Sequence, residues 1–291
     1  MKKNARKISV ISLKGGVGKT TTTIQLASAL ADKKAKVLVI DFDPSQGNTT
    51  SSLIGPIWNQ DVRPKGICSA IIDGTPLDEV IYKTNRENLF IIPSEKKDSK
   101  GRPYSVETAI STMDPMTGMA SLSTMIEQSS INEVFDFVVI DTGPTNSMIV
   151  IAALNASDYF MVPVQLQDFS IDSVEGTIEA AIKVKRLNPK LQALGFFVSS
   201  LDKRQAEAKD KIAQLESFSK QNGIYFFKAK IPVSAKFGFL PSKMKTIFDV
   251  TKKTDRGHKE YLELTTEVLI RIMNLDKAQS ESARRSQGVE V

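Results

Sequence analysis

Cysteine and histidine are nearly missing from this 291-residue chain, which has Cys68 as its one thiol and His258 as its one imidazole. A single cysteine excludes an internal disulfide framework and fits a reducing compartment. A Ser/His/Asp hydrolase, a histidine-rich metal centre or a Cys/His nucleophile would each have to be built on His258, and none is expected. Trp58 is the one tryptophan and reads as a packing residue, Cys68 as a small buried one, and His258 as a surface residue at a helix start. No apolar run reaches the roughly 20 residues of a membrane span. The opening Met1-Lys2-Lys3-Asn4-Ala5-Arg6-Lys7 lacks the apolar stretch of a secretion signal, so none is expected.

What is present is an ordinary globular composition, 41% hydrophobic and 25% charged, with a net charge of +6. The charge is uneven. Residues 236–259 hold Lys236, Lys243, Lys245, Lys252, Lys253, Arg256 and Lys259 against Asp249 and Asp255, so this segment alone carries +5. Such a concentration is an electrostatic footprint for nucleic acid or an acidic partner, and charge alone fits a solvated face equally well.

Short apolar runs alternate with helix-period segments. Strands are expected at 8–13, 36–41, 89–93, 135–141, 159–164, 194–199 and 224–230. Helices are expected at 20–32, 121–133, 147–156, 170–187, 204–221 and 257–275. The strand runs are apolar throughout, as when both faces are buried. The fold class is therefore α/β: a doubly wound, mainly parallel sheet with helices on both faces. Residues 94–118 are polar, contain Pro103 and Pro115 and read as an irregular insertion. Residues 1–275 read as one domain and 276–291 as a polar, poorly ordered tail.

Three segments carry chemistry. Lys14-Gly15-Gly16-Val17-Gly18-Lys19-Thr20-Thr21 follows a buried strand and opens a helix. In that context the glycines let successive N–H groups turn inward around phosphate oxygens, and the helix start adds its dipole and unpaired donors. Lys19 is then expected along the β- and γ-phosphates, the Thr20 hydroxyl on Mg2+, and Thr21 near the α-phosphate. The second segment is Asp41-Phe42-Asp43-Pro44-Ser45-Gln46-Gly47-Asn48, whose two carboxylates stand at a strand's carboxyl end. The third is the apolar run Phe137-Val138-Val139-Ile140 ending in Asp141-Thr142-Gly143-Pro144.

A standard phosphate loop has the form G-x-x-x-x-G-K-S/T, and here Lys14 replaces the usual surroundings of its first glycine. This resembles the deviant Walker A ATPases, among them ParA, MinD and the nitrogenase iron protein, and most closely the ParA/Soj-like partition proteins. The resemblance implies that Lys14 reaches across a dimer to the partner's nucleotide; neutralising its own subunit's phosphates is the other role open to it. The family's D-x-D-P-Q-G-N motif recurs with Ser45 inserted. It implies that Asp43 positions the attacking water and that Asp41 supports the metal shell. Asp141 matches the family's Walker B acid, with Gly143 in place of a proline. Softer matches are Val162-Pro163-Val164-Gln165, Asp202-Lys203-Arg204, Ile231-Pro232 beside the adenine, and Tyr261, Leu264 and Glu267 in the terminal helix.

By resemblance the chain is a slow Mg-dependent ATPase, using ATP and Mg2+ and forming a homodimer in the ATP state. Its expected partners are non-specific DNA and a ParB-like centromere-binding protein that stimulates hydrolysis. The expected location is cytoplasmic and nucleoid-associated, with no membrane partner. DNA contact would fall to Lys236, Lys243, Lys245, Lys252, Lys253 and Arg256. Only thirteen residues precede Lys14, so no helix-turn-helix is expected before the phosphate loop. The alternatives are a MinD-like regulator, for which 276–291 lacks a bulky apolar face, and a protein-cargo positioning ATPase.

Overall fold

A computed structural model describes residues 4–43, 48–60, 65–95, 105–143, 148–167, 171–202 and 204–286, except the side chains of 56–60, 241 and 282–286. The strands are β1 (Arg6–Val10), β2 (Val37–Phe42), β3 (Tyr82–Lys83), β4 (Leu89–Ile92), β5 (Phe137–Thr142), β6 (Tyr159–Gln165) and β7 (Gln192–Ser200). They form one sheet in the order β3-β4-β2-β5-β1-β6-β7. Every pair is parallel except the short edge strand β3 against β4.

The helices are α1 (Lys19–Asp32), α2 (Asn48–Gln60), α3 (Ile67–Asp73), α4 (Val106–Ser111), α5 (Pro115–Glu127), α6 (Ile131–Val134), α7 (Met148–Asn155), α8 (Ile171–Val184), α9 (Ala208–Asn222), α10 (Lys236–Phe239), α11 (Ile247–Val250) and α12 (His258–Ser286). Alternation along the strands sorts side chains to two faces. Ile8, Val10, Val37, Val39 and Val139 pack with Ile24, Leu26 and Leu30 of α1 and Tyr261, Leu264 and Val268 of α12. Leu38, Ile40, Val138 and Ile140 pack on the other face with α3 to α7. Phe160, Val162, Phe196 and Val198 pack with α8 and α9. This is the doubly wound arrangement expected, and it puts the strands' carboxyl ends, where the three motifs lie, along one edge.

Three local expectations change. Residues 224–230 are not a sheet strand: beside β7 they form the isolated bridge Phe196↔Phe226, with Phe196 N donating to Tyr225 O and Phe227 N to Phe196 O, both at 3.0 Å. The next N–H groups have another acceptor: Glu267 of α12 takes Lys228 N at 2.9 Å and Ala229 N at 2.8 Å. Hydrogen bonds to a charged group contribute about 1.5–3 kcal/mol, more than a neutral ladder bond. The 94–118 stretch contains α4 and the start of α5. Pro115 sits at the head of α5 behind Asp114, whose side chain accepts from Thr117 N, a position where proline opens a helix.

The tail expectation also yields, because α12 continues without a break to Ser286. Asp276 accepts from the Arg6 guanidinium at 2.9 Å and from the Tyr159 hydroxyl, tying the helix to the starts of β1 and β6. The helix-favouring Lys277, Ala278, Gln279 and Glu281 then carry it outward. Residues 287–291 lie outside the described part.

Candidate functional site

β1 delivers the chain into the loop from Ile11 to Gly18, and α1 starts at Lys19. Gly16 and Gly18 have φ of 73° and 88°, left-handed conformations that a Cβ would strain. No side chain caps α1, so its first-turn N–H groups remain available to a ligand at the loop. The Ser199 hydroxyl at the end of β7 donates to Val17 O at 2.6 Å and anchors the loop. Lys14 N donates to Ser12 Oγ at 3.2 Å. Lys19 is buried, and its Nζ folds back to donate to Lys14 O at 3.2 Å. Burial lowers its pKa, against which the Asp141 and Asp43 carboxylates pull it up. Gly15 and Gly16 are exposed, Val17 is buried, and Lys14, Thr20 and Thr21 are half-buried.

Asp41 and Asp141 are register partners on β2 and β5, and both are fully buried. Asp141 accepts the hydroxyls of Thr20 at 2.7 Å, Thr49 at 2.6 Å and Thr23 at 3.4 Å. Asp41 accepts both Thr50 N at 2.9 Å and Thr50 Oγ1 at 2.6 Å. Burial, then the charge of Asp141, pushes the Asp41 carboxyl up to about 7, opposed by the Thr50 hydrogen bonds. Burial also raises Asp141 to about 6, opposed mainly by Thr49 and Thr20. Asp43 is buried beside them, its N–H directed at Asp41 Oδ1 at 3.4 Å.

Two adjacent buried carboxylates, with threonine hydroxyls as partners, match a hard divalent cation that would relieve their repulsion. Among the described residues no cluster of three or more His, Cys, Asp or Glu could cage a metal by itself. Mg2+ uses one or two protein groups and leaves the remaining positions to waters and substrate phosphates. The loop and the acids fit a magnesium–nucleotide pair. Asp41, Asp43, Asp141, Lys19 and Thr20 lie together at the strand ends and the start of α1. Pro44 to Gly47 and Pro144 lie outside the described residues.

The remaining candidates are placed apart. Ile231 and Pro232 are buried along the end of β7, Ile231 N donating to Val198 O at 2.8 Å, one residue along β7 from the Ser199 that holds the loop. Lys243, Lys245, Lys252, Lys253 and Arg256 are exposed and Lys236 half-exposed. Lys243, Lys245 and Lys253 line a cavity of about 740 Å3 with Asp32, at the far end of α1 from the phosphate loop. Arg204 pairs with Asp202 at 2.8 Å. His258 is buried against Phe248, with Thr251 Oγ1 3.1 Å from its Nδ1, so its expected surface position is corrected. Cys68 is buried as expected.

Thr49 and Thr50 were not legible as site residues. Their signal was a run of cap-type residues, Asn48-Thr49-Thr50-Ser51-Ser52, ahead of Leu53-Ile54, which marks a helix start directly after the Asp-x-Asp strand.

Residues 5–193 match the family model described as AAA domain. The chromosome-partitioning ATPase Soj of Thermus thermophilus is 30% identical over 94% of this chain and 98% of its own length. The chain belongs to the ParA/Soj family of P-loop ATPases. Solved structures agree on the ParA/MinD fold. A Cyanothece McdA variant in complex with ATP superposes with a TM-score of 0.73 at 22% identity, covering 92% of this chain and 97% of that one. The septum site-determining protein MinD of Pyrococcus horikoshii, complexed with Mg-ADP, gives 0.68 at 22% identity, covering 91% and 96%.

Proposed function

We propose that this ParA/Soj-family chain is a slow Mg-dependent ATPase of DNA partition, acting as a single domain that dimerises around ATP and then binds DNA without regard to sequence. The observation that carries the nucleotide half is the convergence of buried Lys19, the left-handed Gly16 and Gly18, and the 2.7 Å contact from Thr20 to Asp141 on one point. The backbone N–H groups of Gly15 to Thr21 and the Lys19 ammonium hold the phosphates, with Ile231 and Pro232 beside the adenine. Thr20, Asp41 and Asp141 hold Mg2+, directly or through its waters. The metal, when bound, neutralises charge on the β- and γ-phosphate oxygens. Asp43 orients a water for in-line attack on the γ-phosphorus. The bond to the β–γ bridging oxygen breaks, ADP and phosphate leave, and the water's protons pass to phosphate and solvent. Lys14 stabilises charge on the bridging oxygen from across the dimer.

The name of the Soj relative, the exposed cations Lys243, Lys245, Lys252, Lys253 and Arg256 and the half-exposed Lys236 support DNA as the surface bound. Both acids of that segment are engaged: Asp249 with Arg86, and Asp255 with Lys252 N at 3.1 Å. With seven cations against these two acids, the charge of the segment is positive. A ParB-like partner that accelerates hydrolysis completes this reading, with the protein working in the cytoplasm on the nucleoid. No helix among the described residues is long and apolar enough to cross a membrane. Co-sedimentation with DNA of random sequence tests the proposal. Pelleting with Mg-ATP, absent with ADP and in Lys19→Ala, is expected; equal pelleting in all three would end the partition reading.

A further inference from the structure

The basic segment is fastened to α1, the helix whose first turn forms the candidate phosphate site. Two links do this. Halfway along α1, buried Gln25 accepts the N–H of Ile247 on its Oε1 at 3.0 Å. At the far end, Asp32 pairs with Arg86 Nη1 at 2.5 Å. The same guanidinium reaches across to the basic segment, where Nη2 donates to Thr246 Oγ1 at 2.8 Å and pairs with Asp249. Thr246 and Asp249 themselves form the capping box of α11. Arg86 also lies over the Phe248 ring, 6.0 Å from its centroid. A second helix from the site touches the same stretch: a Cβ on Gly55 of α2 would strike Met244 Sδ. Lys243, Lys245, Lys252 and Lys253 flank these attachment points on both sides.

We infer that Arg86, with Gln25, is a positioning residue that transmits the state of the phosphate loop along α1 to the basic segment. This rests on the proposed function. The physical case is mechanical. An α-helix is stiff along its axis, and Lys19 to Asp32 spans about 20 Å at 1.5 Å per residue. A shift of its first turn reaches Gln25 and Asp32 undiminished. At Gln25 it meets a neutral hydrogen bond to Ile247, and at Asp32 a charge-assisted contact that holds direction as well as distance because the guanidinium is a planar fork. Arg86 adds a third element, standing between β3 and β4 and so fixed to the sheet rather than to α1. Asp32 and Asp249 share this one guanidinium, so α1 and α11 are referenced to the same sheet-borne point. The cavity that Arg86 lines between α1 and the lysines leaves room for the segment to change its setting.

The test compares wild type, Arg86→Ala, Arg86→Lys and Gln25→Ala on three readouts: nucleotide affinity, DNA affinity in Mg-ATP and in Mg-ADP, and hydrogen exchange across 243–253 in both nucleotides. Arg86→Ala should keep nucleotide affinity, while the ratio of DNA affinities between the ATP and ADP states falls about tenfold. Exchange across 243–253 should cease to respond to nucleotide. Arg86→Lys should recover part of both, and Gln25→Ala should reduce both. A full wild-type ratio and exchange response in Arg86→Ala would overturn the inference. So would an equal fall in DNA affinity in both nucleotide states, since that marks a merely structural arginine. If wild type binds no DNA but its exchange across 243–253 responds to nucleotide through Arg86, the linkage stands and the DNA reading fails.

Discussion

The carboxyl edge of the sheet and the basic segment 236–259 carry the two halves of the proposed activity, and they are built in opposite ways. At the sheet edge, Lys19, Asp41, Asp43 and Asp141 are all buried, and threonine hydroxyls fix both strand-end acids within 2.7 Å. Geometry there is dictated residue by residue. In the basic segment the cations stand in solvent on and around helices of four residues, and order comes from Arg86, Thr246 and Asp249 behind them. Buried electrostatics demand fixed partners, whereas a surface that meets a phosphate backbone needs only sign and density of charge. Substitutions should therefore act all-or-none at the first region and in increments at the second.

Lys19→Ala is the sharpest way to break that contrast. It removes the buried ammonium from the loop and should lower ATP affinity by about a hundredfold or more with the fold retained. Calorimetric titration checks this, and wild-type affinity would remove Lys19 from the site. Asp43→Ala comes next: nucleotide should still bind and the ATP dimer accumulate in size-exclusion runs, while turnover falls about a hundredfold. Unchanged turnover would move the water-orienting role to Asp41.

In the basic segment, Lys243→Ala/Lys245→Ala and Lys252→Ala/Lys253→Ala should each weaken ATP-state DNA binding by about tenfold, for all sequences alike. Every lysine that neutralises a phosphate adds roughly one unit to the log–log salt slope, so each double variant should show a shallower slope than wild type. An unaltered slope in both pairs would make the segment a solvated face. The smallest effect concerns pH. Asp41 rises to about 7 in the folded chain through burial, above the ~4 of an unfolded carboxylate. The folded state thus holds a proton that the unfolded state gives up. Its stabilising effect is complete below pH ~4 and lost as pH rises to about 7. Asp41→Asn escapes this loss, so its melting temperature relative to ligand-free wild type should climb by a few degrees between pH 5 and pH 7.5. A constant difference would contradict the protonation assigned to Asp41.

The same contrast governs what could be read from sequence. The parallel strands were legible because burial on both faces leaves uninterrupted runs such as Val37-Leu38-Val39-Ile40. Lys19, Asp41 and Asp141 were legible because the loop and strand ends permit few alternatives. Thr49 and Thr50 were hidden because α2 opens with residues of low helix propensity, and its start is secured by tertiary hydrogen bonds to Asp41 and Asp141. Residues 224–230 have strand composition, yet Glu267, distant in sequence, takes the N–H groups of Lys228 and Ala229. Asp276 begins a stretch of tail-like composition, and its contacts with Arg6 and Tyr159 appear only in three dimensions. Arg86, which joins the two regions, had no sequence signal at all.

The claim that the two regions form one switch is most directly tested by measuring nucleotide affinity with and without DNA. Linkage requires that if ATP tightens DNA binding by some factor, DNA tightens ATP binding by the same factor. The account predicts a gain of about tenfold or more for a non-hydrolysed ATP analogue with magnesium and none for ADP. Equal gains for both nucleotides, or no gain for either, would contradict it.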